Sequence, residues 1–434
     1  MKRSYISELK PGQKVLLKGW VFEIRELGKM RFLLFRDASG IVQCVLKQGS
    51  KGFTEGLTLE SVVSIEGKVK KAKIRAEHAR HDIEVEVEDL KILNKAEELP
   101  IQVNEKTITT GLDKRLDYRW IDLRKPRHLL IFKIWTYMEE VMREYWLKND
   151  FIQIYSPKFM GSASESGAEL FSVDYFGKKV YLAQSPQFYK QMAMAAGFEK
   201  VFEIAPVFRA NPSDTSRHDT EFTMIDMEVS FVDSEEDFMK IEEEWIVYFL
   251  KKVKAKFEKE IKKNFGAEII VPKLPFPRVT MKKALEMLGK KGYESSRGED
   301  LDAEGEKLLY ELIKKKHNHE FVFVKEYPIS VRPFYHMRQE KDNSLTKSFD
   351  LIWKGVEITT GAQREHRPEI LKKQAIEKGM NPKSVQYYID FFKYGCPPHA
   401  GGALSPSRLL MLMLNLGNVR EATFLPRDRK RLTP

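Results

Sequence analysis

Between residues 13 and 94 apolar and polar positions alternate in five short runs, KVLLKGWVFEIREL, MRFLLFRD, GIVQCVLK, SVVSIEGKVK and HDIEVEVEDLKIL, separated by Gly, Ser and charged turns. A period of two sends successive side chains to opposite faces of an extended strand, so each run can bury one face and wet the other. Five such strands in fewer than a hundred residues predict a small closed barrel.

The commonest barrel of that size is the oligonucleotide-binding (OB) barrel. Phe22, Phe32 and Phe35 offer rings on which unpaired bases can stack, or else they fill the core. Residues 95–124 lose the strand period and mix Pro, Gly and charges, which predicts a linker or hinge over 96–124 between an N-terminal module (1–95) and a second domain (125–434). In the second domain residues 127–148 have helical periodicity, and FIQIYSPKF reads as a strand stopped by Pro157. Helical patterns at 235–263, 280–290, 303–316 and 404–416 are interleaved with strand-like runs such as KVYLAQ, KVFEIAPVFRA and SFDLIWKGVEITTG. Because several strands follow one another through hairpins, the expected fold class is α+β, an all-β OB barrel followed by a mainly antiparallel sheet flanked by helices. A helical insertion is expected over about 265–345.

The chain has 434 residues, enough for two domains, and its 42% hydrophobic and 32% charged residues exclude a disordered chain. No apolar run is long enough to cross a bilayer and the start MKRSYISELKPG lacks a signal peptide's apolar stretch, so a cytoplasmic protein without a membrane partner is expected. Cys44 and Cys396 are too far apart and too few for a disulfide framework or a zinc site. The net charge of +11 fits an anionic partner such as nucleic acid, and fits equally a heat-adapted, well-solvated surface.

Three segments carry chemistry. In VFEIAPVFRANPSDTSRHDTEF two apolar arms flank a polar loop with Arg209, Arg217 and His218, a hairpin able to clamp a polyphosphate. In SFDLIWKGVEITTG a hairpin turning at Lys354 and Gly355 sets Ile352 opposite Glu357. That register puts Asp350 and Glu357 on one sheet face, where two carboxylates with phosphate oxygens suit Mg²⁺. In PPHAGGALSPSRLLMLMLNLG a Gly-rich turn leads into a helix with Ser405 as N-cap, Pro406 at its first position and Arg408 in its first turn, a start suited to an anion. Each alone is also compatible with a bland reading: an exposed hairpin, a polar outer face, a capped core helix.

Taken in this order behind FIQIYSPKF, the three segments resemble the signature motifs of class II aminoacyl-tRNA synthetases. The leading OB barrel narrows the resemblance to the aspartyl, asparaginyl and lysyl group, and YLAQSPQFYKQ is most similar to aspartyl-tRNA synthetases of the archaeal and eukaryotic type. That resemblance implies ligation of L-aspartate to tRNA through an aspartyl-adenylate, with ATP as substrate and Mg²⁺ as cofactor. It implies that Glu165 closes over the amino acid, Gln187 and Asp226 meet its α-amino group, and Lys190 with Arg364 takes its side-chain carboxylate. Arg209 would contact the α-phosphate, Arg217 and His218 the outer phosphates, and Phe222 with Arg408 the adenine. Asp350 and Glu357 would hold the metal, and Phe32, Gln43 and Glu84 would read the anticodon. The partners implied are a second copy in a homodimer and tRNA(Asp), with tRNA(Asn) as a further candidate. The chain departs from the family pattern at Asn211, where a glutamate is usual, and at Ala403, Ser405 and Ser407, where two glycines and a glutamate are usual. Two other readings stay open on the same frame: an aspartate-activating relative that makes asparagine, and a tRNA-binding protein without catalysis.

Overall fold

The computed structural model of the chain describes residues 1–49, 51, 53, 56–104, 109–162, 164, 170–211 and 215–434. It divides into two compact units, Met1–Leu129 and Leu130–Thr433.

In the first unit β1 (Lys14–Leu27), β2 (Met30–Asp37), β3 (Gly40–Lys47), β4 (Val62–Lys71) and β5 (Ile83–Asn94) form a closed barrel in the order β1-β2-β3-β5-β4. All its pairs are antiparallel except β3 with β5. The alternation in sequence becomes an inside and an outside: Leu33, Phe35, Cys44, Leu46 and Val85 fill the interior. Closure brings backbones close at Gly19 and Gly67, where a Cβ would lie 2.2 Å from the Arg36 carbonyl oxygen and 2.4 Å from that of Glu86. Of the three rings that could either stack bases or fill the core, Phe22 and Phe35 are 3% and 0% exposed and take the second course, while Phe32 is half-buried.

The expected linker is in large part packed structure. Ile101, Val103 and Ile121 cluster with Phe22, Leu34 and Ile41 of the barrel, and α1 (Leu112–Asp117) and α2 (Arg119–Asp122) follow. Buried Asp122 is met by Arg119 at 2.8 Å, His128 at 3.0 Å and Lys125 at 3.1 Å. Burial pushes its carboxyl up, and the hydrogen bonds and charges of His128 and Lys125 outweigh this and bring it down to about 2. Charges placed to neutralise one another, invisible to periodicity, make this stretch part of a module.

The second unit is built on an eight-stranded sheet. Its elements in chain order are α3 (Pro126–Lys148), β6 (Ile152–Gln153), β7 (Phe159–Met160), β8 (Ser172–Tyr175), β9 (Lys178–Leu182), α4 (Gln187–Ala195), β10 (Lys200–Phe208), β11 (Glu221–Ser230) and α5 (Glu235–Phe265). They continue with β12 (Arg278–Thr280), α6 (Met281–Gly289), α7 (Ala303–His317), β13 (Phe321–Lys325), β14 (Ser348–Trp353), β15 (Val356–Gln363), α8 (Pro368–Glu377), α9 (Gln386–Asp390), β16 (His399–Leu404), α10 (Pro406–Met413) and α11 (Val419–Ala422). The sheet order is β12-β13-β14-β15-β16-β11-β10-β6, antiparallel but for the β12/β13 and β10/β6 pairs, while β7, β9 and β8 form a small separate sheet. The segment expected as a helical insertion holds α6 and α7 and also supplies β12 and β13 to the sheet. Phe321 and Phe323 point to the main core and Val322 and Val324 to the α6/α7 side, a short strand buried on both faces.

One face of the sheet packs on α3 and α5, where Trp146 stacks on Trp245 at 5.3 Å and lies 4.6 Å from Phe202. On β11 the odd residues Ile225, Met227 and Val229 enter this core, so Phe222, Met224, Asp226 and Glu228 face the other side. Glu242 of α5 lies on the core side, fully buried. No described helix is long and apolar enough to cross a membrane.

Burial, reinforced by Glu243 and opposed by the Thr359 hydroxyl, pushes the Glu242 carboxyl up to about 8. A carboxyl raised in the folded state binds a proton that the unfolded chain has already lost, so folding stability falls as pH rises from the ordinary carboxylate range to about 8. Glu242→Gln removes this term. The melting temperature of the variant, followed by circular dichroism from pH 5 to pH 8, is expected to decline less than that of the parent chain, and parallel declines would contradict the assignment.

Candidate active site

The cleft lies on the face of the sheet opposite α3 and α5, with a volume of about 340 Å³. The β10–β11 hairpin supplies one wall. Arg209 follows β10, donates from Nε to the Gln184 carbonyl at 3.4 Å and holds its guanidinium 5.6 Å from the centre of the Phe222 ring. Arg217 leaves the hairpin toward α7, donating to Glu306 at 2.9 Å and to the Gly355 carbonyl at 3.3 Å. Burial, with the positive charge of Arg408 and Arg217, lowers His218 to about 4, so it is neutral at pH 7 and serves as a hydrogen-bonding group.

The second wall is the end of β16 and the start of α10, the Gly-rich stretch expected as a turn being a strand of the sheet. Ser405 caps α10, its hydroxyl accepting from the Arg408 amide, and Pro406 occupies the first turn. Ala403, Ser405, Ser407 and Arg408 all line the cleft, so the positions where the resemblance implies glycines and a glutamate belong to its wall. The Ser405 and Ser407 hydroxyls lie 2.9 Å apart. Arg408 donates to the Glu357 carbonyl oxygen at 3.0 Å and lies 3.6 Å from the Glu357 carboxylate.

β14 and β15 join in the two-residue turn expected at Lys354 and Gly355, both with positive φ of 49° and 77°, and Ile352 pairs with Glu357. A bulge at Ile358 then shifts the register so that Asp350 faces Thr360. Asp350 and Glu357 line one small cavity together with Arg297, Asp300, Glu306 and Arg332. Asp350 pairs with Arg332 at 2.7 Å through one oxygen, while its other oxygen is buried without a hydrogen-bond partner among the described residues. Burial, then the charge of Asp350, raises the Glu357 carboxyl. Two carboxylates that repel each other across one small cavity, Asp350 buried and Glu357 partly exposed, are a donor set that fits a hard cation.

The floor is the charged cluster around Glu228. Gln187 opens α4 and lines the cleft, whereas Lys190, one turn on and 1% exposed, lies behind the lining residues. Its ammonium is 3.1 Å from Asp226 and 3.2 Å from Glu228, and it donates to the carbonyls of Met227 and Gly402. Arg364, at the end of β15, donates to Glu228 at 3.1 Å, to the Gly401 carbonyl at 2.9 Å and to His336 at 3.0 Å. Gly401 is small for this reason: a Cβ there would stand 2.1 Å from the Glu228 carboxylate. Burial raises Glu228, and Arg364 with Lys190 outweighs burial and keeps it ionised, whereas burial wins at Asp226 and raises its carboxyl.

The structure thus brings Gln187, Arg209, Arg217, His218, Phe222, Asp226, Glu357, Arg364 and Arg408 to one cleft, with Lys190 behind it and Asp350 in the adjoining cavity. Glu165 lies outside the described residues. Phe32, Gln43 and Glu84 belong to the other unit. There they share an outer barrel face, Gln43 pairing with Glu84 and donating to it at 3.0 Å. Sequence reasoning missed Glu228, Glu306, Arg332 and His336. Glu228 had a signal: in MIDMEV two acidic residues two apart stand in an otherwise apolar stretch of strand, hence side by side on one buried face. Arg332 and His336 come from the irregular stretch VRPFYH, which carries no period to read.

The family described as tRNA synthetases class II (D, K and N) matches residues 111–429, and the OB-fold nucleic acid binding domain matches residues 15–93. The chain is 42% identical to the aspartate–tRNA(Asp/Asn) ligase of Aeropyrum pernix, over 98% of this chain and 96% of that protein. It is 43% identical to the aspartate–tRNA(Asp) ligase of Pyrococcus furiosus, over 99% and 98%. Among solved structures it is similar to asparaginyl-tRNA synthetase from Pyrococcus horikoshii complexed with asparaginyl-adenylate, with a TM-score of 0.91, 34% identity and full coverage of both chains. The aspartyl-tRNA synthetase of Entamoeba histolytica gives a TM-score of 0.88 at 33% identity, covering 100% of this chain and 93% of that one. Matches of this identity and coverage place the chain in the class II tRNA synthetases of the D, K and N group, and within it among the aspartate–tRNA ligases.

Proposed function

We propose that the chain ligates L-aspartate to tRNA in two steps on this cleft. An oxygen of the aspartate α-carboxylate attacks the α-phosphorus of ATP, the bond to the β,γ-diphosphate breaks, and aspartyl-adenylate and pyrophosphate form. A ribose hydroxyl at the 3′ end of tRNA then attacks the carbonyl carbon, its proton is lost, and AMP leaves. The observation that carries this reading is the charged cluster at the cleft floor: two buried cations, Lys190 and Arg364, stand beside Asp226 and Glu228, and their positive charge is placed to meet an anionic side chain. A neutral amide there would leave that charge unmatched, so aspartate is preferred over asparagine.

No protein nucleophile is required, because both substrates bring their own reacting oxygens. The work of the chain is to hold two anions together and to meet the charge that develops on the phosphorus oxygens. Arg209 at the α-phosphate, Arg217 and neutral His218 at the outer phosphates, and adenine between Phe222 and Arg408 fit the arrangement of the two walls. Arg217 would exchange its Glu306 partner for phosphate. Asp350 and Glu357 would hold Mg²⁺, which when bound neutralises phosphate charge. On the barrel, half-buried Phe32 with Gln43 and Glu84 supports a face for anticodon bases. Exposed Tyr155, Phe159 and Phe176 near β6–β9 support a homodimer. Relatives named for tRNA(Asp) and for tRNA(Asp/Asn) are 43% and 42% identical, so both tRNAs belong in the assay.

The reading is tested by charging: with labelled aspartate, ATP and Mg²⁺, label is expected in acid-precipitable tRNA(Asp), and its absence would refute ligation. Lys190→Met preserves side-chain length and removes the charge. The aspartate KM is expected to rise about 100-fold or more, as loss of one member of a buried charge pair predicts, with the ATP KM little changed; an unchanged aspartate KM would contradict the role. Arg209→Ala is expected to lower kcat about 100- to 1,000-fold, the usual cost of removing a donor aimed at developing charge. Pre-steady-state adenylate formation checks this, since a normal burst would exclude Arg209 from the first step.

A further inference from the structure

A chain of hydrogen bonds runs from the cleft into the interior behind α4, and its direction can be read. Gln187, 4% exposed, donates from its carboxamide nitrogen to the Gln191 side-chain oxygen at 2.8 Å, one turn along the helix. That oxygen also accepts from the Tyr388 hydroxyl at 2.8 Å. The Gln191 carboxamide nitrogen, which can only donate, faces Nε2 of His399 at 2.9 Å. His399 opens β16 and directs Nδ1 at the Pro397 carbonyl oxygen, 2.8 Å away, which can only accept. Gln191, Tyr388 and His399 are fully buried, so no solvent offers an alternative partner.

One arrangement satisfies every member. Nδ1 of His399 carries the proton, Nε2 accepts from Gln191, and Gln191 offers its oxygen to Gln187 and Tyr388. The Gln187 nitrogen is then committed inward, and its carbonyl oxygen is the end left for the cleft. A carboxamide has two orientations of nearly the same shape and opposite polarity, so something must choose between them. Burial holds His399 down at about 4, which keeps the imidazole neutral and both of its roles fixed at pH 7.

We propose that His399, acting through Gln191, is a positioning residue that orients the Gln187 carboxamide as an acceptor toward the α-ammonium of the amino acid. The inference rests on the proposed aspartate-activating function. Loss of the histidine acceptor lets Gln191 turn over, which turns Gln187 over in its wake and points an NH₂ group at a cation.

The test uses aspartate-dependent ATP–pyrophosphate exchange. If the parent chain shows no exchange, the functional reading itself fails. With exchange present, His399→Phe, which removes both ring nitrogens, is expected to raise the aspartate KM at least tenfold, while the ATP KM and the kcat at saturating aspartate stay within about twofold. A coupled substitution separates polarity from packing. Gln187→Glu presents oxygen whichever way it turns, but in the parent it sets an oxygen against the Gln191 oxygen and raises the aspartate KM. In the His399→Phe background Gln191 is free to turn, so adding Gln187→Glu is expected to lower the aspartate KM several-fold from that of His399→Phe alone. His399→Leu serves as a second variant should the phenylalanine ring prevent folding. An unchanged aspartate KM in the histidine variants would overturn the proposal. So would a parallel change in the ATP KM and kcat, or further damage from Gln187→Glu in both backgrounds.

Discussion

The second unit depends on one buried contact, the carboxylate of Glu228 held between Lys190 and Arg364 with none of the three more than 3% exposed. An ionised carboxylate taken out of water costs several kcal/mol unless cations and donors replace the water. The replacement is assembled from four distant parts of the chain: α4 brings Lys190, β11 Glu228, β15 Arg364, and β16 the side-chain-free Gly401 that leaves room for the carboxylate. The antiparallel order β15-β16-β11 is what makes these parts neighbours, with Glu228 paired to Gly401 and Gly401 to Ala362. The sheet therefore sets the charge of the cleft floor as directly as any single residue does.

The two ends of the cleft use cations differently. At the floor they are fixed by partners and by the absence of water, which suits recognition of one small anionic group with little tolerance. At the hairpin end Arg209, Arg217 and Arg408 bond to carbonyls, to a ring or to Glu306, partners that phosphate oxygens can outcompete. The side chains of Ser405 and Ser407 occupy positions where the resemblance implies less bulk or a carboxylate. Here one hydroxyl caps α10 and the other bonds to it, so the substitutions have a local structural use as well as a place on the wall.

Features with a local physical cause were legible in the sequence. The barrel strands follow from alternation, the turn at Lys354 and Gly355 from a two-residue linker between apolar runs, and the start of α10 from a capping serine followed by proline. Features that depend on register or on distant partners were not. Asp122 makes the supposed linker structural by collecting cations, the 265–345 segment joins the sheet through two short strands, and Phe22 is claimed by the packing of the connector. Glu306, Arg332 and His399 reach the site or its support from stretches whose role only the folded chain defines. At the cleft floor the sequence marks Lys190 and Arg364, and the fold adds Glu228, which locks them together.

The proposed aspartate specificity requires a cleft floor built for a negatively charged side chain. The most direct measurement is ATP–pyrophosphate exchange by the unmodified protein with L-aspartate and with L-asparagine in turn, each at the same concentrations. The two buried cations at the floor, Lys190 and Arg364, predict exchange with aspartate and a rate with asparagine at least about 1,000-fold lower in kcat/KM, the discrimination expected when a buried charged group is left unmatched. Comparable exchange with asparagine, or exchange with asparagine alone, would contradict it.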